Sequence, residues 1–79
     1  MRKNDISKAV ELTVEAQRIW TATVKLARPS MHPVYAIRRL HEGKLGLARK
    51  QARLAAAKQH CWKLFADTID QLYAIAATN

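Results

Sequence analysis

Six cationic side chains, Arg38, Arg39, Arg49, Lys50, Arg53 and Lys58, recur along the middle of this chain at spacings that can follow a phosphate backbone. The chemistry they offer is ion pairing rather than bond making. Between Arg28 and Lys63 the sequence holds nine Lys or Arg residues and one acid, Glu42, whereas the flanks carry five residues of each sign. The formal net charge of +8 is therefore confined to one interval. A local field of this kind attracts phosphate polymers or acidic protein surfaces at long range, and salt screens it. Five neutralised phosphates on duplex DNA would give a log–log salt slope of about −4.5. The plainer role for the same residues is a solvated face that keeps an alanine-rich bundle in solution. Lys44 and Lys58 project toward the apolar side and are expected to lay their stems along its edge.

Other reactive groups form weaker constellations. Glu11 with Glu15, and Asp67 with Asp70, each fall on one helical face and can in principle share a proton. No nucleophile, cleft or glycine-rich phosphate loop accompanies them in sequence. Glu15–Arg18 and Lys63–Asp67 fit ordinary surface pairs worth a few tenths of a kcal/mol, and no enzymatic activity is expected. The histidines are His32, His41 and His60, none spaced four residues from another. Cys61 beside His60 lacks the spacing of zinc sites, so no metal and no cofactor is expected. A lone cysteine allows no disulfide within the chain, which fits a reducing compartment; a Cys61–Cys61 bridge between subunits stays open.

Trp20, Trp62, Phe65 and Tyr73 sit at helical spacings among aliphatic residues, as core or interface residues do. Tyr35 lies among the basic residues, and Tyr35 and Trp62 are the candidate aromatic contacts to a partner. A helix-turn-helix can be drawn from Ala22 to Gly43, with Tyr35, Arg38 and Arg39 as its readers. Its tight-turn position, usually glycine, falls on Arg28, directly before Pro29. The match in spacing is poor, and an ordinary corner between two helices accounts for the segment.

These residues need elements to position them. The only prolines are Pro29 and Pro33, and the only glycines Gly43 and Gly46. A first helix is expected over about 5–27, with a polar stripe of Lys8, Glu11, Glu15, Arg18 and Lys25. Asn4 or Asp5 is suited to its N-cap. Its apolar arc (Ile6, Ala9, Val10, Leu12, Ala16, Ile19, Trp20, Val24, Leu26) is wide enough to require cover from more than one side. A turn follows at 28–33, with Ser30 as a cap and Pro33 in the next helical turn. From about 33 to 77 the residues are good helix formers. Leu40, Leu47, Leu54 and Cys61 fall seven apart, and Phe65, Ile69, Leu72 and Ala76 continue that side. The phase agreement across Gly43–Gly46 favours one continuous helix, although two glycines can also mark a kink or a tight turn.

At 1.5 Å per residue such helices would measure about 35 and about 67 Å. The unequal hairpin leaves an apolar seam uncovered, formed by Leu40, Leu47, Leu54, Cys61, Phe65 and Leu72. Homodimerisation into a helical bundle is the expected remedy. Seventy-nine residues make a single domain, and a core of this size rarely supplies more than about 3–5 kcal/mol alone. The alanine content and scarcity of aromatics point to an all-α fold. No 18-residue apolar run predicts a membrane span, and no secretory h-region follows the basic N-terminus, so a cytoplasmic protein is expected. The function expected first is a non-enzymatic accessory protein that binds nucleic acid through the Arg/Lys stripe. The alternative is a protein-binding modulator or inhibitor, of the phage or mobile-element type, docking a helical face on an acidic regulator or enzyme. An anionic membrane surface ranks third, because the alanine-rich apolar face lacks bulky anchors.

Overall fold

The second half of the chain does not run as one helix. The structure, a computed structural model, describes residues 3–26 and 31–78. Among them are helices α1 (Lys3–Val24), α2 (Met31–His41), α3 (Leu45–Lys58) and α4 (Lys63–Ala77), with a 3-10 turn at His60–Trp62 leading into α4. The all-α class expected from composition is observed; the continuous helix over 33–77 is not. Arg28, Pro29 and Ser30, the centre of the expected Pro-flanked turn and of the helix-turn-helix corner, lie outside the described residues.

The break after α2 has a local cause. Gly43 sits at φ +75°, the left-handed region that glycine enters without a Cβ penalty. The Lys44 N–H then donates to the Arg39 carbonyl at 2.9 Å, and the Gly43 N–H to the Leu40 carbonyl at 3.1 Å. This is the Schellman arrangement, which satisfies the last carbonyls of a helix and turns the chain out of it. The chain restarts at once, because the Lys44 carbonyl already accepts from the Ala48 N–H at 3.0 Å.

The second break involves neither glycine nor proline. Gln59 is extended, at φ −138° and ψ 113°, and ends α3. Its backbone carbonyl accepts from the Trp62 N–H at 3.0 Å, and its side-chain Oε1 accepts from the Trp62 indole N–H at 3.1 Å. The kink swings Trp62 wholly into the interior, where its ring meets Phe65 edge-on at 5.7 Å between centroids. An aromatic pair of this geometry adds about 0.5–1.5 kcal/mol beyond its area burial.

Helix α3 packs against both α2 and α4, and α4 also packs against α1. The molecule measures 38 × 20 × 19 Å. Every residue that α3 buries is an alanine: Ala48, Ala52 and Ala55 are wholly inaccessible. Side chains this short let neighbouring helices approach closely. The larger core residues come from the other elements, namely Ile19 on α1, Ile37 and Leu40 on α2, and Trp62, Phe65, Ile69 and Leu72 at and along α4.

The seam drawn by seven-residue spacing is consequently split. Leu40, Phe65 and Leu72 are buried within the chain's own core, whereas Leu47, Leu54 and Cys61 are exposed. The two breaks reset helical phase, so residues aligned on one ideal helix no longer share a side. Helix α1 begins earlier than expected, which places Asn4 and Asp5 in its first turn rather than at its cap. It buries Ala16, Ile19 and Thr23 but leaves Ile6, Val10 and Val14 about half exposed or more. No helix among the described residues is long and apolar enough to cross a membrane.

Candidate anion-binding face

Because α3 turns Ala48, Ala52 and Ala55 inward, most of its longer side chains are left to its outward face. Gly46, Lys50, Leu54 and Lys58 succeed one another at four-residue steps, and Leu47, Arg53 and Ala57 lie beside them; all seven are exposed. Cations and leucines thus share one surface.

The six predicted stripe residues fall into three groups. Arg49, Lys50 and Arg53 come together around an open groove that Gly46 and Leu54 complete. Lys58 lies two turns beyond Lys50 on the same face. Arg38 and Arg39 belong to α2 and are cut off from the α3 line by the turn at Gly43. Arg38 is exposed, while Arg39 donates from Nη1 to both carboxylate oxygens of Glu42. Arg38, Lys50 and Lys58 have no ion pair among the described residues.

Asp70, reaching across from α4, organises the groove. Its Oδ1 accepts from Arg49 Nε at 3.0 Å and stands 3.2 Å from Arg53 Nε. The Arg49 guanidinium also lies over the Tyr73 ring, 4.6 Å from its centroid. Such stacking draws a cation to the ring face. A Cβ built on Gly46 would stand 3.8 Å from Tyr73 Cε2, an ordinary contact. Glycine here therefore leaves the groove open without being required by crowding.

The carboxylate pairs do not act as pairs. Asp67 accepts from Lys63 Nζ at 2.8 Å, while Asp70 serves the two arginines. Glu15 binds the Arg18 guanidinium through both carboxylate oxygens. That hydrogen bond holds the Glu15 carboxyl below its usual value, and the bond to Asp67 raises the Lys63 ammonium above its own. Both groups are exposed, and neither lines the groove.

Of the two candidate aromatic contacts, Tyr35 is exposed and accessible to a partner. Trp62 is fully buried and is a core residue. Gly46 lines the groove, and Asp70 and Tyr73 contact the arginines that line it, although the spacing of the basic residues does not point to them. Their relation to Arg49 and Arg53 spans two helices, and no local pattern carries it. No protein-family model matches the chain, and no curated protein or solved structure matches it either.

Proposed function

We propose that this protein binds nucleic acid through the outward face of α3, by charge and shape rather than by reading bases. The observation that carries the proposal is the set of exposed cations Lys50, Arg53 and Lys58, with Arg49 beside them on α3 and Arg38 as a separate exposed cation on α2. Seven cations occupy α2, its turn and α3, against Glu42 and the incoming Asp70. The remaining excess is large enough to concentrate a polyanion at this surface. Phosphate contacts of this type position a protein on a duplex without carrying sequence information.

Fluorescence anisotropy against duplex DNA and RNA across a salt series tests it. The triple variant Arg38→Ala/Lys50→Ala/Lys58→Ala removes only side chains without ion pairs and is expected to keep its fold. Removing one phosphate-bound cation should lower the salt slope by about 1. A variant that binds as tightly and as salt-dependently as the parent would overturn the proposal.

A second reading has its own observation. Leu47 and Leu54 are 51% and 38% exposed amid those cations, as suits an acidic amphipathic helix docking on a protein surface. Leu47→Ser/Leu54→Ser separates the two readings: nucleic-acid affinity should hold within about twofold, whereas docking of an acidic helix would collapse with its apolar anchors.

We also propose that any homodimer forms through Ile6, Val10 and Val14 on α1. Joining two α3 faces would bring like charges together, which opposes association. Sedimentation equilibrium on the parent and on Val10→Lys checks this. A dimer that survives the lysine places the contact elsewhere.

A further inference from the structure

Arg49 and Arg53 lie one helical turn apart, and both address the same oxygen of Asp70 through Nε, at 3.0 and 3.2 Å. A guanidinium carries five N–H donors in a planar fork. Arg49 donates to the carboxylate from Nε and Arg53 meets it as an ion pair, so the four terminal donors of each fork are left unused by Asp70. Among the described residues, no other hydrogen bond occupies them. The Arg49 guanidinium carbon also stands over the Tyr73 ring, which gives it a second contact besides Asp70. Both arginines line the open groove, of about 290 Å³, together with Lys50, Gly46 and Leu54.

We propose that Arg49, Arg53 and Lys50 form a preset seat for one backbone phosphate, with Asp70 and Tyr73 as positioning residues. The inference rests on the nucleic-acid reading and adds to it a fixed point of register on an otherwise diffuse cationic surface. Two forks offer paired donors with the geometry of phosphate oxygens, and Lys50 adds a mobile point charge. Holding both guanidiniums before the ligand arrives removes most of the ordering that a free arginine would undergo on binding. Asp70 cancels one of the three positive charges, so the seat retains a net attraction for an anion. The absent side chain of Gly46 leaves the approach clear.

The test replaces fork by point charge. Arg49→Lys/Arg53→Lys keeps the net charge and the ion pair to Asp70, and Arg18→Lys, on α1 and outside the proposed binding face, serves as the control. Duplex DNA anisotropy at about 150 mM salt is paired with inorganic pyrophosphate titrations that follow the arginine Nε–H resonances by NMR. The expected result is saturable pyrophosphate shifts at Arg49 and Arg53, and about tenfold weaker duplex binding in the double variant with no change in the control. Should the double variant not fold, Arg53→Lys alone carries the same expectation at smaller size. Duplex binding equal to the parent's overturns the seat and leaves the broader proposal intact. Saturable pyrophosphate binding without duplex binding overturns the nucleic-acid reading and leaves a phosphate site. Tighter binding of a polyglutamate peptide than of duplex at equal salt overturns both.

Discussion

The Trp62 indole N–H donates to Gln59 Oε1 at 3.1 Å, so the residue that ends α3 also satisfies the largest side chain in the core. A buried donor stripped of its partner costs about 1–3 kcal/mol. Gln59→Leu should therefore lower unfolding free energy by that amount in urea titrations. In a Trp62→Phe background, where no indole N–H remains, the same change should cost measurably less. Equal losses in both backgrounds would show that Gln59 acts through backbone conformation alone.

The two glycines should respond to alanine in opposite directions. Gly43 holds φ +75°, and an L-residue there costs about 1–2 kcal/mol. Gly46 is helical, with ordinary contact distance to spare at its Cβ position. Alanine at Gly46 should raise stability by up to about 1 kcal/mol, through helix propensity and reduced freedom of the unfolded chain. Thermal melts of the two single variants distinguish these effects by sign.

Enlarging the inner face of α3 should be poorly tolerated. Ala52 is wholly inaccessible in the core cluster to which all four helices contribute. Ala52→Leu adds three carbons where no space exists and should cost about 1–3 kcal/mol or more. A variant as stable as the parent would mean that α3 can move away from its neighbours at no cost.

Two surface pairs set opposite pH limbs. Arg18 hydrogen-bonds Glu15 and holds its carboxyl below the ordinary value. That contribution is whole above the unfolded-state value and disappears as pH falls through the lower folded one. Asp67 raises Lys63, so its contribution is whole below the unfolded-state value and disappears as pH rises through the higher folded one. Both effects are small, because the pairs are exposed and screened. Glu15→Gln should flatten only the acid limb of the melting temperature against pH, and Lys63→Met only the alkaline limb. A steep acid limb that persists in Glu15→Gln would assign it to other carboxylates.

Much of the architecture is legible in the sequence because it is local. Helix-forming composition and the Lys63–Asp67 and Glu15–Arg18 spacings act within a few residues, whereas the turn expected to reach residue 33 gives way to α2 from Met31. Gly43 is visible as a candidate break, but the heptad phase of Leu40, Leu47, Leu54 and Cys61 outweighs its preference for positive φ on paper. That phase misleads because it weights leucine over alanine. Here the alanines Ala48, Ala52 and Ala55 face inward, and close approach of neighbouring helices outweighs the burial of larger side chains. The break at Gln59 carries neither glycine nor proline, and the buried Trp62 that accompanies it is held by tertiary packing that no local pattern marks. The basic stripe can be found residue by residue. Its division, with Asp70 gathering Arg49 and Arg53 while Arg38 and Arg39 stay with α2, depends on helix pairing that no short-range pattern encodes.

The alanine face of α3 has a consequence beyond packing. The side chains that hold this helix in the fold and those it presents outward are almost wholly different sets, with Arg49 and Arg53 joining the two through Asp70. Substitution across Leu47, Lys50, Leu54 and Lys58 can therefore remodel what the surface attracts without disturbing the interior. Selection on recognition and selection on folding act on opposite sides of one short helix, and each is free to proceed without the consent of the other.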